Sequence, residues 1–205
     1  MATKKLDFKK VFAELYNPST TKISIVDVPD MKFFMLDGKG DPNTSQEFKD
    51  AIATLFPLSY GVKMPFKKTH PAKDYVVPPL EGLWYMSNMA EFRMDNKQNW
   101  QWTLMMRVPD FVPDDDARSA IDVVKAKKSP PSIGKTRFEH FLEGKCMQIM
   151  HVGPFDAEPP TIEKTHKWAK DQGYSLRGKH HEIYMSDMRR VAPERLLTIL
   201  RQPIK

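Results

Sequence analysis

Apolar residues at Phe8, Val11, Phe12 and Leu15 recur at helical spacing and predict a short amphipathic helix that lies on the main body and ends at Asn17-Pro18-Ser19. From Lys22 the period changes to two. Ile23, Ile25 and Val28 alternate imperfectly with polar partners, Pro29-Asp30 interrupts the run, and Met31 to Leu36 resume it before Gly38-Lys39-Gly40. Two strands joined by a bend or hairpin are expected. Thr44-Ser45-Gln46-Glu47 has the form of a capping box, and Phe48, Ala51, Ile52, Leu55 and Phe56 make one apolar face behind it. This predicts a helix that ends at Pro57 or shortly before it. The Pro- and Lys-rich stretch 58–79 then reads as a surface segment, and 80–86 and 100–108 as strands around a turn at 95–99.

The stretch 109–131 bridges to a second half. Asp114-Asp115-Asp116 ahead of Ala117, Ala120, Ile121 and Val124 predicts an acidic helix start, and Lys125, Lys127 and Lys128 a basic helix end, an arrangement that suits the helix dipole. Strands are expected at 138–142 and 145–152, a turn at Gly153-Pro154, a helix over 161–172 ending before Gly173, and strands at 180–186 and 195–204. The second half echoes the first. Tyr85-Met86-Ser87-Asn88-Met89 matches Tyr184-Met185-Ser186-Asp187-Met188, and Arg107-Val108-Pro109 matches Arg201-Gln202-Pro203. The expectation is an α+β fold of two strand-helix-strand-strand units related by a pseudo-twofold, with one antiparallel-rich sheet, helices on one face and a ligand cleft on the other. The chain then forms a single domain over 1–205: an N-terminal helix (1–21), a first repeat (22–109), a connecting segment with a helix (110–137) and a second repeat (138–205).

Composition narrows the classes. The 205 residues include 40% apolar positions, 13 Met and 12 Phe, enough for one sizeable core. The 32 basic and 26 acidic residues give a net +6, but they are interspersed rather than striped, which argues against a nucleic-acid partner. Cys146 is the single cysteine and sits in an apolar run, so no intrachain disulfide can form. The N-terminal residues lack a secretory apolar stretch and no segment is long enough to span a bilayer. A cytoplasmic protein with no membrane partner is expected. Monomer and homodimer both remain open.

Strand alternation gives the candidate chemistry. Glu182 and Tyr184 share one face and Ile183 and Met185 the other. Superposing the two Tyr-Met-Ser signatures brings Leu83 and Tyr85 to the same cleft from the first half. Glu182 is then either a lone carboxylate among apolar walls, which desolvation makes a functional signature, or a solvated strand-edge residue beside His180, His181, Arg189 or Arg190. Trp84, Trp100 and Trp102 form an aromatic wall or, more commonly for such residues, a core. Abundant Met, including Met147, suits walls that repack around different ligands. His151 is a turn residue or a rim residue. No phosphate loop and no zinc spacing occur, and Cys146 reads as a small hydrophobe rather than a nucleophile.

The strand Glu182-Ile183-Tyr184-Met185-Ser186-Asp187, the segment Pro79-Leu80-Glu81-Gly82-Leu83-Trp84, the closing strand 198–203 and the doubled layout resemble the GyrI-like small-molecule-binding family, in particular its stand-alone bacterial members, from Lys22 onward. The resemblance implies duplicated SHS2-type units and a cleft carboxylate, which falls on Glu182. It also implies kinship with the effector-binding domains of multidrug-responsive regulators, although a strand starting by Lys22 leaves no room for a preceding helix-turn-helix. By the same resemblance the function is either cofactor-independent hydrolysis of cyclopropane-bearing DNA alkylators, a detoxification, or non-catalytic binding of aromatic drugs, with gyrase modulation a third reading. In the hydrolytic reading Glu182 activates water and Tyr85 or Tyr184 stabilises the developing oxyanion, while Leu83, Trp84, Trp100, Trp102, Met147 and His151 contact the ligand.

Overall fold

The computed structural model describes residues 5–87 and 97–205. It is a mixed α/β fold with six antiparallel strands: β1 (Ser24–Lys39), β2 (Leu80–Tyr85), β3 (Gln101–Val108), β4 (Arg137–Val152), β5 (His180–Tyr184) and β6 (Leu197–Pro203). The helices are α1 (Phe8–Val11), α2 (Ala13–Tyr16), α3 (Gln46–Thr69), α4 (Asp114–Lys128) and α5 (Pro159–Asp171). The strands close into a barrel in the order β1-β3-β2-β5-β6-β4. Exchanging β1 with β4, β2 with β5 and β3 with β6 returns the same order, so strand-helix-strand-strand occurs once in each half of the ring.

Two expected strand pairs are single long strands. β1 runs through Pro29, where it has β4 on one side but has not yet reached its β3 pairing at Lys32, so the missing N–H is tolerated. β4 runs through Gly144, whose φ of +71° a glycine accepts without steric cost. Both strands change phase there: Val28 and Met31 both face the barrel interior, as do Glu143 and Cys146. This double phase change is why their alternation reads as broken in the sequence.

α3 is the larger departure. Ser45, not Thr44, caps it by accepting from the Phe48 amide, and the helix continues past Pro57 and Pro65 to Thr69. Each internal proline costs about 3 kcal/mol. Leu55, Leu58, Val62 and Phe66 are fully buried beyond or beside them, each contributing about 1.5–3 kcal/mol, and this offsets the cost. The stretch expected to wander is therefore mostly core helix. α4 follows the sequence expectation and ends on Ser129 in the left-handed region.

The barrel interior is closed at one end by α1 and α2, split at Phe12 rather than forming one helix. Leu15 and Tyr16 are buried among Phe33, Met105, Ile183 and Ile199. At the centre, both ring nitrogens of His181 face carboxylates: Nδ1 donates to Glu143 at 3.0 Å and Nε2 to Glu81 at 3.0 Å. A ring that donates twice is the imidazolium. Arg201 pairs with Glu143, bonds Gln148, and donates to the Leu15 carbonyl, while the Tyr16 hydroxyl donates to Glu81. Two anions and two cations thus tie β2, β4, β5, β6 and the N-terminal plug together.

Burial alone lowers the His181 pKa, but the charge of and bonds to Glu143, then Glu81, overcome it and lift the value to about 9. Glu143 is held below its usual 4.5 because His181 and Arg201 outweigh its burial. The imidazolium therefore stabilises the fold fully below pH 6.5, and this contribution is lost as pH rises through about 9. The Glu143 contribution is present above 4.5 and lost as pH falls. Urea-unfolding midpoints should decline from pH 6.5 upward, and His181→Leu, which strands two buried carboxylates, should cost about 3–5 kcal/mol. A midpoint flat across this range would mean that the ring is not charged.

Candidate functional site

The outer face of the barrel carries a second polar cluster. In β5 the inward residues are His181 and Ile183, so His180, Glu182 and Tyr184 point outward, on the face that bears α3 to α5. Glu182 is 6% exposed. The Tyr184 hydroxyl donates to Glu182 Oε2 at 2.9 Å and accepts from Trp84 Nε1 at 3.1 Å. The His180 ring lies 3.6 Å from Glu182 Oε1, an ion pair when protonated. Gly82 stands directly opposite Glu182, and a Cβ there would come within 3.1 Å of both Trp84 Nε1 and the Tyr184 hydroxyl. A glycine is thus what lets the indole and phenol meet over the sheet.

Across β6 and β4 the row continues. Thr198 is opposite both Tyr184 and His151. Over it lies Glu158, the residue before Pro159 at the start of α5, 1% exposed. Glu158 Oε1, the Thr198 hydroxyl, both ring nitrogens of His180 and His151 Nε2 are buried without hydrogen-bond partners. Thr198 and Glu182 act on the Glu158 carboxyl through their proximity, yet neither reaches Oε1 with hydrogen-bond geometry. Buried polar atoms are normally satisfied, so a cluster of unsatisfied ones marks a place prepared for a polar partner. Phe155 edges onto Tyr184 at 5.7 Å, and Trp84 contacts Phe48 at 5.8 Å and Trp100 at 5.4 Å, giving aromatic walls on both sides.

Burial, and then the neighbouring Glu182 and Glu158 carboxyls, raise the Tyr184 phenol well above its usual range, so it stays a neutral donor. Glu158 is pushed up to about 10, by burial first and by Glu182 second. Burial holds His151 and His166 below their usual value. A cavity of about 760 Å³ opens past the end of β2, lined by Lys39, Asp41, Ser45, Met86, Ser87 and Gln101. It includes none of the unpaired atoms. The Glu182 cluster, with desolvated carboxyls and unpaired donors, is the candidate site on chemical grounds rather than on volume. Among the described residues, no group of three or more His, Cys, Asp or Glu is placed to hold a metal, and no helix is long and apolar enough to cross a membrane.

Of the residues expected at the site, Glu182, Tyr184, Trp84, Trp100 and His151 come together. Leu83 and Tyr85 do not. Directly opposed residues of an antiparallel ladder share a face, and Leu83 opposes His181, so it points into the barrel, as does Tyr85, which sits under the Lys179 ammonium at 3.6 Å. Aligning the Tyr-Met-Ser signatures is one residue out of phase with this register; Asn88 and Met89 of the first signature lie outside the described residues. Trp102 is fully buried edge-on to Phe48, and Met147 packs with Ala169 and Ile204, so both are core. The cleft expected on the helix-free face is instead a filled interior. Cys146 is buried there, and burial raises its thiol pKa. Glu158 and Thr198 were not anticipated, although Pro159-Pro160 signals a first helical turn and so places Glu158 at the N-cap.

The sequence profile of the GyrI-like small molecule binding domain matches residues 21–205. An uncharacterized conserved protein of Listeria innocua is 38% identical with a TM-score of 0.89, and a hydrolase of the same organism is 36% identical with a TM-score of 0.83; each match covers 98% of this chain and 100% of the other. The C-terminal domain of EcmrR, a protein also solved in complex with DNA, is 16% identical with a TM-score of 0.57 over 90% of this chain and 97% of that domain, a likeness of fold alone. No curated protein matches.

Tyr184→Phe should leave Trp84 Nε1 and a Glu182 oxygen unpaired at a nearly dry site, at a cost of about 1–3 kcal/mol. Tyr85→Phe should stay within about 0.5 kcal/mol. Chemical denaturation of the two variants measures both, and equal effects would contradict the assigned faces.

Proposed function

The chain belongs to the GyrI-like small-molecule-binding family, and on that premise we propose that it takes a flat, aromatic, drug-like molecule against the outer face of β2 and β5 and hydrolyses it. The observation that carries this is the Glu182 carboxylate, buried, oriented by the Tyr184 hydroxyl and surrounded by polar atoms that lack partners. The Listeria innocua hydrolase, similar over its whole length, supports a hydrolytic activity.

The reaction this inventory suits is ring opening of a cyclopropane conjugated to a carbonyl, as in DNA-alkylating natural products. Glu182 orients a water molecule and takes its proton. The water oxygen bonds to the least hindered ring carbon, the strained C–C bond breaks, and its electron pair moves to the carbonyl oxygen, which is then protonated. The net change is addition of one water. Ring strain lowers the barrier, so the roughly 10²–10⁴-fold that a placed acid or base supplies gives useful detoxification. Trp84 and Phe155 lie where they would hold the planar skeleton. Tyr184 serves as the residue that fixes Glu182. Tyr85, on the opposite face, has no part. We place the protein in the cytoplasm, where such compounds reach DNA.

The family description itself favours a second reading, binding without turnover. Incubation with a spirocyclopropyl-cyclohexadienone alkylator and mass spectrometry separates the two. Hydrolysis predicts a product heavier by one water and a drop of about 10²–10⁴-fold in turnover for Glu182→Gln. Saturable quenching of tryptophan fluorescence with no product would establish the binding reading, and unchanged turnover in the variant would remove Glu182 from the mechanism.

A further inference from the structure

Among the described residues, the hydrogen-bond donors level with the His180 ring are committed elsewhere. Trp84, directly opposite on β2, gives its indole N–H to Tyr184. On the β6 side, the residue next past the His181–Arg201 pair is Gln202, whose amide donates to the carbonyls of Arg177 and Pro203. Tyr184 spends its hydroxyl proton on Glu182. The unpaired Thr198 hydroxyl is in register with Tyr184, roughly 13 Å along β5 from His180 and beyond the reach of the ring. His180 is thus 5% exposed with neither ring nitrogen bonded.

The Glu182 carboxylate decides which of those nitrogens carries the proton. His180 Nε2 lies 3.6 Å from Glu182 Oε1, longer than a hydrogen bond but close enough for charge to act. A neutral ring with its proton on Nε2 turns an N–H dipole toward the anion, whereas the other tautomer turns a lone pair toward it. In a nearly dry place the first arrangement wins. Nδ1 is then a buried acceptor that the protein leaves unfilled.

We propose that His180 selects the ligand by its edge, with Nδ1 accepting a hydrogen bond from an N–H or O–H group on the aromatic molecule. The site then favours flat ring systems that carry a donor on the edge facing β5. It discriminates against those with an acceptor there, whose lone pair meets that of Nδ1. This is a binding role and leaves the part of Glu182 unaltered. It rests on the reading of the outer face of β2 and β5 as the seat of an aromatic ligand. α5 lies across this face through the His151–Thr161 bond, and no residue of 159–164 is buried, so little apolar packing opposes a shift of its first turns as a ligand enters.

Carbazole and dibenzofuran test this, because the two tricycles are nearly equal in size and differ by an N–H against an ether oxygen. NMR of 15N-histidine-labelled protein at about pH 8, above the ordinary histidine range, first reads the free protein. His180 should carry its proton on Nε2, and an imidazolium or a proton on Nδ1 overturns the proposal. Titration with each tricycle should then show carbazole binding about 5- to 100-fold more tightly, with the Nδ1 resonance shifting as it binds. In His180→Leu the two affinities should converge. Equal affinities in the wild type, or a preference for carbazole that survives in His180→Leu, overturn the acceptor role. The wild-type measurements decide the matter even if His180→Leu does not fold. Binding of neither tricycle sinks the aromatic-ligand reading and this recognition with it, whereas binding of both alike sinks the recognition alone.

Discussion

The imidazolium of His181, held between Glu81 and Glu143 inside a closed barrel, is the interaction on which the rest of the structure depends. It joins β5 to β2 and to β4, and through Glu143 and Arg201 it reaches β6 and the α2 backbone. A five-residue strand has little intrinsic register, and a slip of one residue would turn His181 outward and Glu182 inward. Such a slip would leave two carboxylates and a guanidinium without their balance in a nearly dry interior, at a cost of several kcal/mol. The interior charge cluster therefore fixes the orientation of the exterior site.

The two clusters differ in how far they are satisfied. Inside, Glu81, Glu143, His181, Arg201, Gln148 and Tyr16 find partners among one another and the plug. Outside, Glu158, Thr198, His180 and His151 keep buried atoms with none. Folded proteins satisfy their buried polar groups, and departures concentrate where a ligand completes the set. Arg107, on the inward face of β3, also keeps two buried nitrogens without partners, so the contrast is one of degree.

Much of this was legible in the sequence. The α4 boundaries, the β2 and β3 strands, the doubled element order and the pairing of Glu182 with Tyr184 on one face follow from periodicity and capping signals. What was hidden involves interactions between distant residues. Pro29 and Gly144 look like breaks because the tolerance for them comes from the partner strand. Pro57 looks like a helix end because the burial that outweighs it lies in β1, β3 and α4. The phase between Leu83 and Glu182 depends on which residues oppose each other across β2 and β5, and a matched signature motif does not encode that. Glu158 was visible as the residue before Pro159, but only the α5 approach to β5 gives it a carboxyl neighbour.

Because alternate residues of β5 serve opposite faces, selection can act on them separately. His181 and Ile183 are constrained by folding, whereas under the proposed function His180, Glu182 and Tyr184 answer to the ligand. Exchanging the outward set, or Trp84 and Phe155 beside it, retools the recognition surface while the scaffold keeps its stability margin. A barrel built this way is an evolvable chassis, on which new ligand preferences arise by changing alternate letters of one short strand.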